Sequence, residues 1–161
     1  MTDFLEKTER EYEGEHDRPL RTYVRILSVY GGVVATAVAA AAATGRRPPE
    51  RIGLMDVALM AACTHKVARL LAKDPVTSPI RAPFTRYEGV SGPAELKEKP
   101  LNTVGELLSC PFCIAQWAAT GYAIGLVFAP RATRLAGAAM TAVAASDWLQ
   151  LAYAKLMKSA S

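Results

Sequence analysis

The residues with the clearest chemical potential are two cysteines spaced as Cys110-Pro111-Phe112-Cys113. Pro111 suits a first helical position, which puts both sulfurs on one opening turn. The positive end of a helix lowers a thiol pKa, so Cys110 is a candidate reactive thiolate. Three readings stay open. A thioredoxin-type redox site needs a strand ahead of the helix, and none is apparent before Cys110. Haem attachment needs a His after the second Cys, where this chain has Ile114. A zinc site needs four ligands, so a metal ion at Cys110 and Cys113 requires Cys63 and His65, or a second protomer, to complete it. The third reading is a structural, inert pair, and Cys63 alone reads as core.

The second signal is charge inside apolar sequence. Asp147 stands in the stretch from Leu135 to Ala154. An ionised Asp deep in a bilayer costs about 3 kcal/mol on insertion scales. It is therefore expected to face other helices and meet Lys66, Arg69 or His65, or else to stay neutral on a Thr or Ser. Asp56 lies toward the opposite side, within reach of Arg131 or Arg134. Lys66 and Arg69 otherwise snorkel to headgroups. Lys73, Arg81 and Arg86 read as anionic-headgroup contacts or as pins between a loop and the helix ends.

These residues need elements to hold them. Ile26 to Gly45 carries no charge over twenty residues, about 30 Å of helix and one hydrocarbon thickness. Arg21, Arg25, Arg46 and Arg47 flank it, with Tyr23 and Tyr30 suited to an interfacial belt. Leu107 to Pro130 is likewise uncharged. Small residues at helical spacing predict packing seams: Gly32, Thr36 and Ala40; Gly121 and Gly125; Gly137, Thr141 and Ala145. Helices are expected near 26–45, 52–72, 111–130 and 135–154, with a polar loop over 73–110. Pro75, Pro79 and Pro83 are expected to extend that loop, and Thr103-Val104-Gly105-Glu106 matches a capping box. Residues 1–24 read as an acidic tail with a solvated helix over 2–15.

Half of the 161 residues are apolar, but aromatics are only 7% and alanine dominates. Such composition suits close helix packing in lipid better than a soluble core. The net charge is +4. No run joins cations to an aromatic platform, so the excess reads as membrane-flanking charge and not a nucleic-acid surface. The acid-rich start does not resemble a cleavable signal. With four crossings, the N-terminus, the loop and the C-terminus share the side richer in Lys and Arg. The other side holds Arg46, Arg47, Arg51, Arg131 and Arg134. The positive-inside rule puts the first side in the cytoplasm.

Three segments carry a family resemblance: Thr64-His65-Lys66-Val67-Ala68-Arg69; Asp74-Pro75-Val76-Thr77-Ser78-Pro79-Ile80-Arg81-Ala82-Pro83-Phe84; and Cys110-Pro111-Phe112-Cys113 with Trp117. Over roughly residues 50–155 the chain resembles the bacterial domain-of-unknown-function family numbered thirteen-sixty. That resemblance implies a small bacterial membrane protein and supplies no activity. The acidic tail looks like an addition to it.

The sequence thus reads as an all-α, polytopic protein of the inner membrane, with about four transmembrane helices and a long Pro-containing cytoplasmic loop. The expected role is a non-enzymatic accessory or interaction subunit, in contact with lipids and forming a homo-oligomer or a larger membrane complex. The rival is a cytoplasm-facing thiol-redox or metal protein centred on Cys110 and Cys113. A small transporter using Asp147 is a third, for which four short helices leave little room.

Overall fold

A computed structural model describes residues 20–160 together with Lys7, Thr8, Glu11 and Tyr12. The acidic tail and the helix expected over 2–15 otherwise lie outside the described residues. The order is α1 (Leu20–Ala43), α2 (Leu54–Lys73), a 3-10 turn (Pro75–Thr77), α3 (Ser78–Arg81), β1 (Thr85–Gly92), β2 (Glu95–Pro100), α4 (Thr103–Ser109), α5 (Pro111–Phe128) and α6 (Pro130–Ala160).

Local chemistry sets the helix ends. Gly45, at φ +66°, closes α1: its N–H donates to the Ala42 carbonyl and the Arg46 N–H to the Ala41 carbonyl. This is a Schellman motif, which a residue without Cβ accepts at no steric cost. Asn102 caps α4, its Oδ1 accepting from the Gly105 N–H at 2.9 Å. Ala129 ends α5 and Pro130 opens α6 at once. Gly125 makes that tight connection possible, since a Cβ there would stand 2.5 Å from Thr133 Oγ1.

The core forms where α2 packs against α5 and α6. Cys63, Tyr122 and Leu126 make one cluster with Met60, Val67 and Met140 around them. Ala68, Ala72 and Ile114 make another with Leu71, Leu108 and Ala115. The Tyr122 ring lies over Gly137, whose missing Cβ leaves its space. In contrast, no residue of α1 is buried. Tyr23 donates to Glu106 Oε2 at 2.5 Å, and the Tyr30 hydroxyl lies 2.7 Å from Thr120 Oγ1 with its ring edge-on to Trp117. At the far end Arg46 Nη1 donates to the Phe128 carbonyl at 3.1 Å. Glu106 lies on α4, just ahead of α5, and the partners then ascend α5 through Thr120 to Phe128 as the contacts ascend from Tyr23 through Tyr30 to Arg46, so α1 and α5 run in the same direction.

The all-α, four-span reading is overturned. β1 and β2 form an antiparallel hairpin, with Thr85 opposite Pro100, Tyr87 opposite Glu98 and Val90 opposite Leu96. Among the described residues two helices, α1 and α5, are long and apolar enough to cross a membrane. Asp56, His65, Lys66, Arg69 and Lys73 make α2 too polar to count, and Arg131, Arg134, Asp147, Lys155 and Lys158 do the same along α6. The stretch 73–110 is not an extended loop. Ser78 and Ala82 precede prolines yet hold right-handed helical dihedrals, at φ −53°, ψ −34° and φ −49°, ψ −36°. The pre-proline bias is a preference, and local hydrogen bonds override it here. The capping box does not form either: Asn102 takes the cap and Glu106 turns to Tyr23.

Candidate functional site

One buried cation organises the hairpin end of the molecule. Arg81 closes α3 with its side chain fully buried. Its Nε donates to Glu98 Oε2 at 2.5 Å. Nη1 donates to the Leu71 carbonyl at 2.7 Å and to Thr77 Oγ1 at 2.8 Å, and Nη2 to the Asp74 carbonyl at 3.0 Å. A planar five-donor group is suited to this, since one side chain caps the last turn of α2 and grips a strand together. Neighbouring residues prepare the turn. Asp74 Oδ1 accepts from the Val76 N–H at 2.9 Å, Pro75 starts the 3-10 turn, and Thr77 donates to the Leu70 carbonyl at 2.5 Å. Arg81 is therefore not a headgroup contact. It is a pin, and burial removes it from any lipid. Arg86 is exposed on β1 opposite Lys99.

The thiol pair lies where α4 hands over to α5. Cys110 is the N-cap of α5, and its Sγ accepts from the Cys113 N–H at 3.3 Å. The two sulfurs are 2.7 Å apart, Cys113 is exposed, and both are free thiols. The expected metal ligands do not converge. Cys63 is buried beside Tyr122, where burial pushes its thiol pKa up. His65 is exposed, with its ring 6.0 Å from that of Trp148. Among the described residues no three His, Cys, Asp or Glu side chains gather as a metal site.

Ion pairs tie α2 to its neighbours at three levels. Arg134 Nε donates to Asp56 Oδ1 at 2.7 Å and Nη2 to Oδ2 at 3.1 Å, which holds the Asp56 carboxyl below its ordinary range. Lys66 Nζ donates to Asp147 Oδ2 at 2.6 Å. Arg69 gives both Nε and Nη2 to Glu95 Oε1, fastening the hairpin turn to α2. Of the partners open to Asp147, Lys66 takes it.

The small-residue seams divide. Gly137 lies under Tyr122, and Thr141 Oγ1 donates to the Leu59 carbonyl at 3.4 Å. Gly125 packs on Thr133, whereas Gly121 has nothing within 4 Å of a would-be Cβ. Gly32 is also open, and with Thr36 it borders an apolar groove between α1 and α5. Glu95, Glu98 and Glu106 were missed as partners. The run Lys97-Glu98-Lys99 held the available signal, an acid inside a basic strand with a cation upstream to meet it.

The family described as a protein of unknown function (DUF1360) matches residues 59–153, more than half of the chain. The chain belongs to this family. It is also similar to UPF0713 protein YngL of Bacillus subtilis (strain 168), 25% identical over 85 residues. That match covers 51% of this chain and 65% of YngL, just under two thirds of its length. No solved structure matches. The DUF1360 span contains the Arg81 knot, both cysteines of the pair and both core clusters, and it leaves α1 outside.

Proposed function

We propose that this protein is a small, non-enzymatic accessory subunit of a membrane assembly, joined to further copies of itself or to a larger complex. The observation that carries this reading is α1. It is apolar, yet it buries none of its residues, and Leu27, Val29 and Val38 are exposed along it. Apolar surface of this extent needs lipid or another chain to cover it. The groove bordered by Gly32, Thr36, Ile124 and Phe128 offers small residues and no charge to a neighbouring helix. In this reading α1 and α5 are the apolar helices set against the inner membrane, with the hairpin end toward the cytoplasm. Lys73, Arg86, Lys97, Lys99, Lys155 and Lys158 collect there, and the positive-inside rule assigns that end to the cytoplasm. Cross-linking in native membranes, followed by identification of co-purifying chains, tests the assembly. Higher-order species are expected, and a strictly monomeric, partnerless chain would refute it. A membrane-impermeant maleimide is expected to reach Cys113 in inverted vesicles and not in intact cells.

A second reading rests on the 2.7 Å approach of Cys110 and Cys113. A disulfide needs about 2.03–2.05 Å between sulfurs, so a small movement closes the bond. Cys110 attacks a partner disulfide, and Cys113 then displaces the partner. The pair gives up two electrons and two protons, and the partner leaves as a dithiol. Cys110→Ser and Cys113→Ser variants decide it: an unchanged phenotype in the native host ends this reading.

A further inference from the structure

A cleft of about 400 Å³ opens between α2, the hairpin turn and the second half of α6, a size typical of small-molecule sites. Its two long walls differ in character. On α2 the lining side chains are His65, Lys66, Arg69 and Lys73; on α6 they include Ala144, Trp148, Leu151 and Ala154, one apolar stripe at helical spacing. Asp147 and Glu95 contribute carboxylates from α6 and the hairpin.

The charged groups of this cleft are part-exposed and keep atoms free for a ligand. Lys66 uses Asp147 Oδ2, and both Arg69 donors use Glu95 Oε1. Asp147 Oδ1 and Glu95 Oε2 are therefore left without a protein donor among the described residues. Lys73 has no ion-pair partner among them. The remaining cleft carboxylate, Asp74, accepts from the Val76 N–H through Oδ1 and leaves Oδ2 open. Three carboxylate oxygens and the Lys73 ammonium thus stay open to a ligand, and the lining cations and acids balance in number. A purely anionic ligand would meet the carboxylates, and a purely cationic one would meet Lys73. A ligand with an N–H-bearing cation beside an anion satisfies both. The apolar α6 wall adds room for a hydrocarbon chain. The cleft also lies level with the start of α5, since Ala68 and Ala72 of the adjoining α2 turns pack on Ile114 and Ala115.

We propose that this cleft binds an aminophospholipid headgroup, with its phosphate on Lys73, its primary ammonium on Asp147 and Glu95, and an acyl chain along Trp148 and Leu151. The assignment rests on the membrane placement proposed above, which the maleimide experiment decides separately.

Native mass spectrometry of the detergent-purified full chain, titrated with defined lipids, tests it. Phosphatidylethanolamine is expected to give a stoichiometric adduct. Phosphatidylcholine lacks N–H donors and phosphatidylglycerol lacks the cation, so both are expected to bind at least about tenfold more weakly, the loss of one charge-assisted bond. Lys73→Gln breaks no ion pair among the described residues and is expected to weaken the adduct by a similar factor. Glu95→Gln is expected to do so as well. Equal binding of the three lipids, or an adduct unchanged by Lys73→Gln, overturns the proposal. So does full displacement by soluble phosphoethanolamine at equal concentration, which would make the free zwitterion the ligand.

Discussion

At the scale of single residues, Arg81 carries more structure than any other side chain. Truncating one partner of a buried ion pair leaves a charge that neither water nor protein satisfies, at a cost of about 3–5 kcal/mol. Arg81→Met is expected to destabilise by that order in a thermal melt, and Arg81→Met with Glu98→Leu to recover much of the loss. Arg81→Lys is expected to fall between them, since an ammonium cannot reach Glu98 and the α2 carbonyls in one plane. Asp56 gives a pH signature of opposite location. Its bond to Arg134 holds its carboxyl below the ordinary 3.8. The stabilisation is therefore complete above that value and is lost as pH falls through the lower, folded value. Asp56→Asn is expected to flatten the acid limb of a stability-versus-pH curve below about pH 4. The pairing of Asp147 was legible in the sequence because insertion cost and depth restricted its partners. The role of Arg81 was left open between lipid and loop, because burial depends on a hairpin that the sequence conceals.

That concealment is an element-scale matter. β1 and β2 read as loop because they are largely polar, with Arg86 and Glu88 on one and Glu95, Lys97, Glu98 and Lys99 on the other, and are joined by Pro93-Ala94, with Ala94 at φ +57°, not by a glycine-rich turn. Val90 and Leu96 supply one apolar cross-strand pair, too little for a periodic signal. The hairpin stands because Arg69 and Arg81 hold its acids and α4 packs on β2, and those are tertiary facts. The long apolar helices, in contrast, were legible to within a few residues at most ends, since uncharged runs and Pro111 mark them directly. The joint between hairpin and α4 depends on Gly105, where an added Cβ would run into the Phe84 carbonyl and stand 3.3 Å from Pro100 Cα. Backbone cannot rotate away, so Gly105→Ala is expected to cost at least about 1–3 kcal/mol and to raise amide exchange across residues 85–100. Gly121→Ala on the open face of α5 is expected to be neutral or to stabilise by about 0.5–1 kcal/mol.

For the whole molecule, the decisive contrast is between a buried centre built by α2, α5 and α6 and a first helix that buries nothing. Gly32→Leu separates intramolecular from intermolecular packing, because nothing among the described residues lies within 4 Å of a Cβ there. The melting temperature of the purified chain is expected to stay unchanged while cross-linked species in membranes decline. Four spans were inferred from apolar runs, but hydropathy cannot tell a helix that faces lipid from one whose charges are neutralised by its neighbours. Both core clusters fall inside residues 59–153, and α1 meets that unit through Tyr23, Tyr30 and, just beyond its end, Arg46, with Val34, Ala37 and Ala40 only half-buried. The leading helix is accordingly a detachable sleeve. It can be exchanged for another of different surface without repacking the interior, so the same body can be addressed to different neighbours by changing one segment.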